Sequence, residues 1–356
     1  MIYNSTYISM KKKILVTGSA GLIGSESVRQ FCEKGYEVHG IDNNQRAAFF
    51  GKDGDTSSIK KNLEKTYDSY IHHQIDIRDK EKINDIFEKN NFELIIHTAA
   101  QPSHDWAGKH PVIDFEINAF ATLFLLDAMR IHTPDAVFIF TSSSKVYGDH
   151  VNNLKYEEHE TRYDLPKKHK WYNGVQEDMS IDHSMHSPYG VGKAAADLMV
   201  QEFGLYYGLK TMTFRCNCLT GPAHAGAKLH GFLSYLVKCV IHGNEYVING
   251  YKGKQVRDNI HSYDLVNAFY HAYKNPKSGV VYNLGGGRKN SVSILEAIQK
   301  IEKISGKKAT FTINPEPRRG DHIWYISDDS HFIKDNHDWD VTYGIDRILE
   351  EMCAAY

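Results

Sequence analysis

Short, largely apolar runs alternate with longer stretches of helical spacing through the first half of the chain. Ile14–Thr17, Glu37–Ile41, Leu94–Thr98 and Val137–Phe140 are strand-length and read as buried strands. Between them, Leu22–Lys34, Asp79–Lys89 and Phe115–Ile131 carry apolar residues at three- and four-residue intervals, the spacing of amphipathic helices. Strand and helix in alternation predict βαβ units, hence an α/β fold whose doubly wound parallel sheet is covered on both faces. Such sheets bind ligands at the carboxyl ends of their strands.

The pattern breaks from about 150 to 186, a polar, aromatic-dotted segment without a clear period. It is too long for an ordinary connection and is expected to be a lid or binding loop. Helical spacing returns at Pro188–Tyr207, followed by a strand at Lys210–Arg215 and a helix at Leu229–His242. A strand and helix follow Gly250, then a strand in "VVYNLGGG", the helix Ile294–Ser305 and a strand near Thr310–Ile313. The expected organisation is a nucleotide-binding domain over 11–221 plus about 259–284. A smaller, discontinuous C-terminal substrate-binding domain would take 222–258 and 285–356. Residues 1–10 are expected to be a disordered extension, Met10 being an equally natural start.

Composition narrows the partners. Lys+Arg (42) nearly balance Asp+Glu (44), which supplies no reason to expect nucleic acid or an anionic membrane. No apolar run approaches the ~18 residues that span a bilayer. The four apolar residues after the N-terminal lysines fall short of the roughly 7–15 of a signal peptide, so a cytoplasmic location is expected. Five cysteines, an odd number spread over the chain, fit reduced thiols better than disulfides. Cys216-x-Cys218, His183/His186 and His224/His230 lack the second pair a zinc site needs, and no metal is expected.

"ILVTGSAGLIGSESVRQF" places Gly18, Gly21 and Gly24 directly after a strand and at the mouth of a helix. Glycines there let the backbone approach a pyrophosphate, whose charge meets the free N–H groups of the helix start. Asp42 ends the next strand, where a carboxylate accepts from both ribose hydroxyls and repels a 2′-phosphate. The fold is therefore expected to be of the Rossmann type, with NAD preferred over NADP, although Arg46 stands close by. Asp76 in "QIDIRD" is placed to reach the adenine amine, with Asp79 as a helix N-cap.

The G-x-x-G-x-x-G spacing resembles the extended short-chain dehydrogenase/reductase superfamily, which implies a Tyr-x-x-x-Lys near mid-chain. "SPYGVGKAAADL" supplies Tyr189 and Lys193 on one helix face. An ammonium beside a phenol, with the positive nicotinamide nearby, is expected to lower the tyrosine pKa toward neutrality, so that Tyr189 serves as base and acid. By the same resemblance the catalytic hydroxyl lies four positions before the tyrosine of Val146-Tyr147-Gly148, which selects Ser143. Ser142 would satisfy backbone groups and Thr141 would line the nicotinamide side. Dehydratases of the superfamily carry Asp-Glu after that hydroxyl, where this chain has Ser144-Lys145.

Longer stretches, "HTAAQPSHDWA", "SKVYGD", "GYKGKQVRDNIHSYDLV" and "RRGDHIWYISD" among them, resemble the CDP-paratose 2-epimerase group over about residues 11 to 350. The resemblance implies tightly bound NAD, a CDP-linked hexose or deoxyhexose inverted at C2, and a role in polysaccharide biosynthesis. It further implies that Leu22, Ile23, Asn43, Ile77, Thr98, Ala99, Ala100 and Cys216 complete the NAD site. For the sugar nucleotide it implies Ser103, His104, Ser144, Lys145, Asn217, Cys218, His230 and Asp321, with Arg257 and Arg318 as diphosphate clamps. A homodimer or homotetramer through the helices Phe115–Ile131 and Pro188–Tyr207 is expected on the same ground.

Overall fold

The computed structural model describes residues 11–222 and 231–356. Seven parallel strands form the central sheet, in the order Val280–Asn283, Lys210–Cys216, Val137–Ser143, Phe92–His97, Lys13–Thr17, Glu37–Ile41, Tyr70–His73. The chain winds outward in one direction from Lys13–Thr17 and then resumes on its other side at Phe92–His97. That reversal opens a crevice at the carboxyl ends of these two strands. Strand centres such as Ile14-Leu15-Val16 and Leu94-Ile95-Ile96 are completely buried. Alternate side chains enter two apolar cores, one on each face: Ile14 and Val16 pack with Phe31 and Phe269, Leu15 and Ile95 with Phe87 and Leu125.

Residues 104–109 and 111–132 bring helix to that second face, with a π-helical turn over Glu116–Phe120. The helix thus begins ahead of the expected Phe115, at Pro111, whose fixed φ suits a first helical position. Asp79 caps Lys80–Lys89 by accepting from the Lys82 N–H. A third core lies outside the sheet. It joins Phe232–His242, Glu245–Asn249, Ile294–Ser305 and Ile345–Ala354 through Leu236, Ile248, Ile298 and Ile348.

The segment 150–186 is not the lid that its polarity suggested. None of its residues lines the main cavity. Val151, Leu165, Val175 and Met179 are instead buried against Val146, Tyr147 and Trp324-Tyr325-Ile326. Its charges are spent on the outer domain as well: Arg162 pairs with Glu296, and Asp164 with Arg288. The scattered apolar residues that blurred the period are what anchor it as a buttress behind the Ser143 turn.

His97 shows what burial costs in acid. Its ring lies between the Thr17 and Thr122 hydroxyls at 2.7 and 2.9 Å, and burial lowers its pKa from 6.5 to about 3. Unfolding restores the ordinary value, so below pH 6.5 the unfolded chain binds a proton that the folded chain refuses. Stability therefore falls with pH through the window between 6.5 and about 3. His97 alone is expected to remove about 2 kcal/mol between pH 7 and pH 5. Urea midpoints at the two pH values should show the drop, and His97→Gln should make it shallower.

Candidate functional site

At the crevice lies a cavity of about 820 Å³, running from Asp42 and Phe49 at one end to Arg318 and Asp321 at the other. The glycine turn forms its floor. Gly18 donates to the Ile41 carbonyl at 2.7 Å, and Gly21 stands as N-cap of Leu22–Glu33 with no side-chain cap. The leading N–H groups of this helix thus lack the capping hydroxyl or carboxylate that other helices use. Gly21, Leu22 and Ile23 line the cavity, whereas Gly24 does not. A Cβ on Gly24 would lie 2.0 Å from the Gly18 carbonyl oxygen, so Gly24 is the residue that lets helix and turn pack together. Gly24→Ala is expected to cost about 3 kcal/mol and to empty the cavity of any dinucleotide, readable as a lower melting temperature and no nucleotide released on denaturation.

Asp42 accepts from the Ala20 and Asn44 N–H groups at 3.0 and 2.7 Å, which holds its carboxylate at the cavity edge. Asp76 also lines the cavity, but its oxygens are engaged by Arg78 at 2.7 and 3.0 Å and by Asn43 at 3.2 Å. The expectation that Asp76 reaches an adenine amine thus meets an ion pair with a residue two positions on. Ile77, Thr98, Ala99 and Ala100 line the middle of the cavity, and Thr141 and Cys216 its inner wall. The Thr141 hydroxyl is buried without a partner among the described residues. A capless helix start, a backbone-held carboxylate and this orphaned hydroxyl, strung along one cavity, fit a dinucleotide.

Ser143 closes the strand Val137–Ser143, and Tyr189 and Lys193 lie one turn apart on Ser187–Tyr207, all three facing the cavity. Lys193 Nζ donates to the Thr141 carbonyl at 3.1 Å and lies 4.8 Å from the Phe140 ring centre. Burial lowers its pKa to about 8. Burial pushes the Tyr189 phenol up to about 12, with the Ser143 hydroxyl acting the other way; the expected lowering depends also on the positive charge of a bound nicotinamide. The lysine is turned to the Thr141 carbonyl, and in a water-poor pocket the cost of the phenolate prevails. Ser142 also differs from expectation. Its hydroxyl donates to the Asp197 carboxylate at 2.6 Å rather than serving the backbone.

Beyond this trio the cavity widens among charged groups. Lys145 Nζ donates to the Gly320 carbonyl at 2.7 Å, and burial lowers its pKa to about 8. Arg257 is paired with Asp321 and donates to the His322 carbonyl at 2.6 Å, so this expected phosphate clamp already has an anionic neighbour. Asn217 accepts from Ser144 at 3.2 Å and donates to the buried Asp258 at 2.9 Å. His104, Cys218 and Arg318 line the same end. Ser103 does not: it is 1% exposed, and its hydroxyl caps the helix His104–Lys109 by accepting from the Trp106 N–H. His230 lies outside the described residues. Sequence reasoning missed Phe49, Phe232, Tyr235 and Tyr246, which also line the cavity. No motif marks them, because aromatic residues in helices and strands read as ordinary core.

The sequence pattern of the NAD dependent epimerase/dehydratase family matches residues 14–285. CDP-paratose 2-epimerase of Salmonella typhi is 30% identical over 89% of this chain and 91% of that protein. UDP-glucose 4-epimerase of Mus musculus is 28% identical over 96% of this chain and 95% of its own. Among solved structures, a mutant UDP-glucuronic acid 4-epimerase from Bacillus cereus, in complex with a fluorinated UDP-sugar and NAD, superposes with a TM-score of 0.79. It is 25% identical and covers 96% of this chain and 98% of its own. Match length, sheet order and the glycine turn agree, and the chain belongs to the NAD dependent epimerase/dehydratase family.

Proposed function

We propose that this protein is an NAD-dependent nucleotide-sugar epimerase that inverts C2 of a CDP-linked hexose or deoxyhexose. The observation that carries this reading is Ser144-Lys145, lining the cavity directly after Ser143 where a dehydratase has an acid pair. Without that pair, elimination of water lacks its acid and base, and transient oxidation at one carbon remains. The similarity to CDP-paratose 2-epimerase supports C2 as that carbon.

When bound, NAD supplies a hydride acceptor that returns the hydride, and a positive ring that favours the Tyr189 phenolate. The turn at Gly18–Gly24 and Asp42 would hold it. Tyr189 takes the proton of the reacting sugar hydroxyl at its phenolic oxygen and later restores it. Ser143 steadies that sugar oxygen through its hydroxyl. Lys193 keeps a positive charge one helical turn from the phenol. Arg318 and Arg257 hold the diphosphate, and Arg257 must share itself with Asp321 to do so. With the nucleotide fixed, the sugar turns to present its other face.

The helices over 111–132 and 187–207 lie together and expose Val112, Phe120, Val191, Leu198 and Leu205. Apolar side chains on adjoining helices support a homodimer through this face. Among the described residues no helix is long and apolar enough to cross a membrane.

Incubation with CDP-paratose and CDP-glucose in deuterated water, followed by product NMR, tests the reading. Inversion at C2 without solvent deuterium there is expected; deuterium at C2 would indicate enolisation and overturn it. A second reading, 4-epimerisation of a UDP-sugar, is favoured by the 96% coverage of the match to UDP-glucose 4-epimerase. Turnover of UDP-glucose to its C4 epimer, with CDP-sugars inert, would select it.

A further inference from the structure

We propose that His104, held in one tautomer by Ser187, is the hydrogen-bond donor that orients the sugar against Tyr189. His104 opens the helix His104–Lys109 and lines the cavity, its ring packed edge-on against Tyr189 with centres 4.8 Å apart and planes at 62°. Its Nδ1 lies 2.9 Å from the Ser187 hydroxyl, and among the described residues Nε2 has no hydrogen-bond partner. Burial, with the nearby charges of Lys145 and Arg318 outweighing Asp321, lowers the pKa of His104 to about 3, so the ring is neutral and carries one N–H.

Ser187 decides which nitrogen bears it. The Ser187 oxygen accepts from the Gly190 N–H at 3.3 Å, at the head of the catalytic helix. If its hydroxyl hydrogen goes to His104 Nδ1, the serine donor is used within the protein and the ring proton sits on Nε2, where it is left for a ligand in the cavity. If Nδ1 carried the proton, the hydroxyl hydrogen would have no acceptor among the described residues. Ser187 holds this position at φ +66°, a backbone conformation that residues with a side chain seldom adopt. Retained strain of this kind marks positions that the surroundings over-determine. Gly320, whose own φ is +76°, closes over the same ring: a Cβ there would lie 3.5 Å from His104 Nδ1.

A fixed Nε2–H has a chemical consequence. An oxygen that alternates between hydroxyl and carbonyl always offers lone pairs but loses its proton on oxidation. A donor therefore holds the sugar oxygen in both states, whereas an acceptor would release it in one. This role rests on the nucleotide-sugar reading above.

The test uses NAD-loaded protein labelled with 15N-histidine and long-range proton–nitrogen spectra, the His104 signals being assigned by their loss in His104→Gln. The expected state is protonated Nε2 with bare Nδ1. Ser187→Gly, which accepts the positive φ and removes the hydroxyl, should yield mixed tautomers and raise the nucleotide-sugar KM roughly tenfold. His104→Gln retains an N–H near the Nε2 position and should keep KM within about threefold, while His104→Phe should match Ser187→Gly. Protonated Nδ1 in the wild type, or an unchanged KM in His104→Phe, would overturn the inference. Should no nucleotide sugar be turned over, the epimerase reading fails on its own. Titration with CDP-glucose and UDP-glucose, read at the His104 Nε2–H, then still decides: a shift with either supports the donor role, and silence with both refutes it.

Discussion

Tyr189→Phe is expected to lower kcat by about 10³-fold while leaving nucleotide-sugar affinity within about twofold, because the substitution removes one proton-transferring oxygen and almost no volume. Tyr189 lies in the wall shared by Ser143 and His104, and its phenol sits at about 12 in the protein alone. Base catalysis then requires that bound cofactor lower that value. The active form is the deprotonated one, so activity should rise with pH and be lost as pH falls through the lowered pKa. Single-turnover absorbance of the nicotinamide, with isothermal titration for affinity, separates the two effects. A Tyr189→Phe protein that turns over at the wild-type rate would remove Tyr189 from the chemistry. Lys193→Met should shift the acidic limb upward, since the positive charge at the Thr141 carbonyl is then absent.

Asp197→Ala is expected to destabilise the fold by about 3–5 kcal/mol, the cost of stranding a buried guanidinium. Asp197 and Arg215 are 1% and 5% exposed. One carboxylate oxygen accepts from Arg215 Nη2 at 2.8 Å and Gln201 at 2.7 Å, the other from Arg215 Nε at 3.0 Å and Ser142 at 2.6 Å. Arg215 continues to the Tyr147 hydroxyl at 3.0 Å, which itself donates to Asn283 at 2.8 Å. The pair therefore ties the catalytic helix to three neighbouring strands, directly behind Ser143. Urea unfolding should show a lower midpoint with little change in slope. The double replacement Asp197→Leu with Arg215→Met should recover much of the loss, since it removes both charges together. Residual activity in that variant should still be depressed, because Ser142 then lacks the anchor that sets the Ser143 turn.

Much of the fold was legible because it is written in local periodicity. Glu37–Ile41 and Ile294–Ser305 have the boundaries their patterns predict, and the helix of Tyr189 begins one residue before the expected start. What the pattern could not convey is which polar residues already have partners. Ser103 looked like a ligand-binding hydroxyl beside His104 and is a helix cap; Asp76 lines the cavity, but its carboxylate already pairs with Arg78. The 150–186 segment failed for a related reason: its anchors lie at irregular intervals, and their partners, Trp324 and Ile326, are more than a hundred residues away.

By itself, then, the sequence determined those features whose geometry spans a few residues. These are the turn at Gly18, Gly21 and Gly24 before a helix, the acid after the next strand, and a tyrosine and lysine one helical turn apart. Short-range backbone sterics set such positions wherever the segment folds. Only the tertiary structure decided the protonation and partnership of the site: Lys193 on the Thr141 carbonyl, Arg257 against Asp321, Ser142 on Asp197, Ser187 on His104. Except for the Ser142–Asp197 and Lys193–Thr141 pairs, about fifty residues apart, these contacts join chain segments separated by more than sixty positions. Hydrogen bonds and burial energies at that range depend on how the sheet and helices pack, which no local pattern encodes.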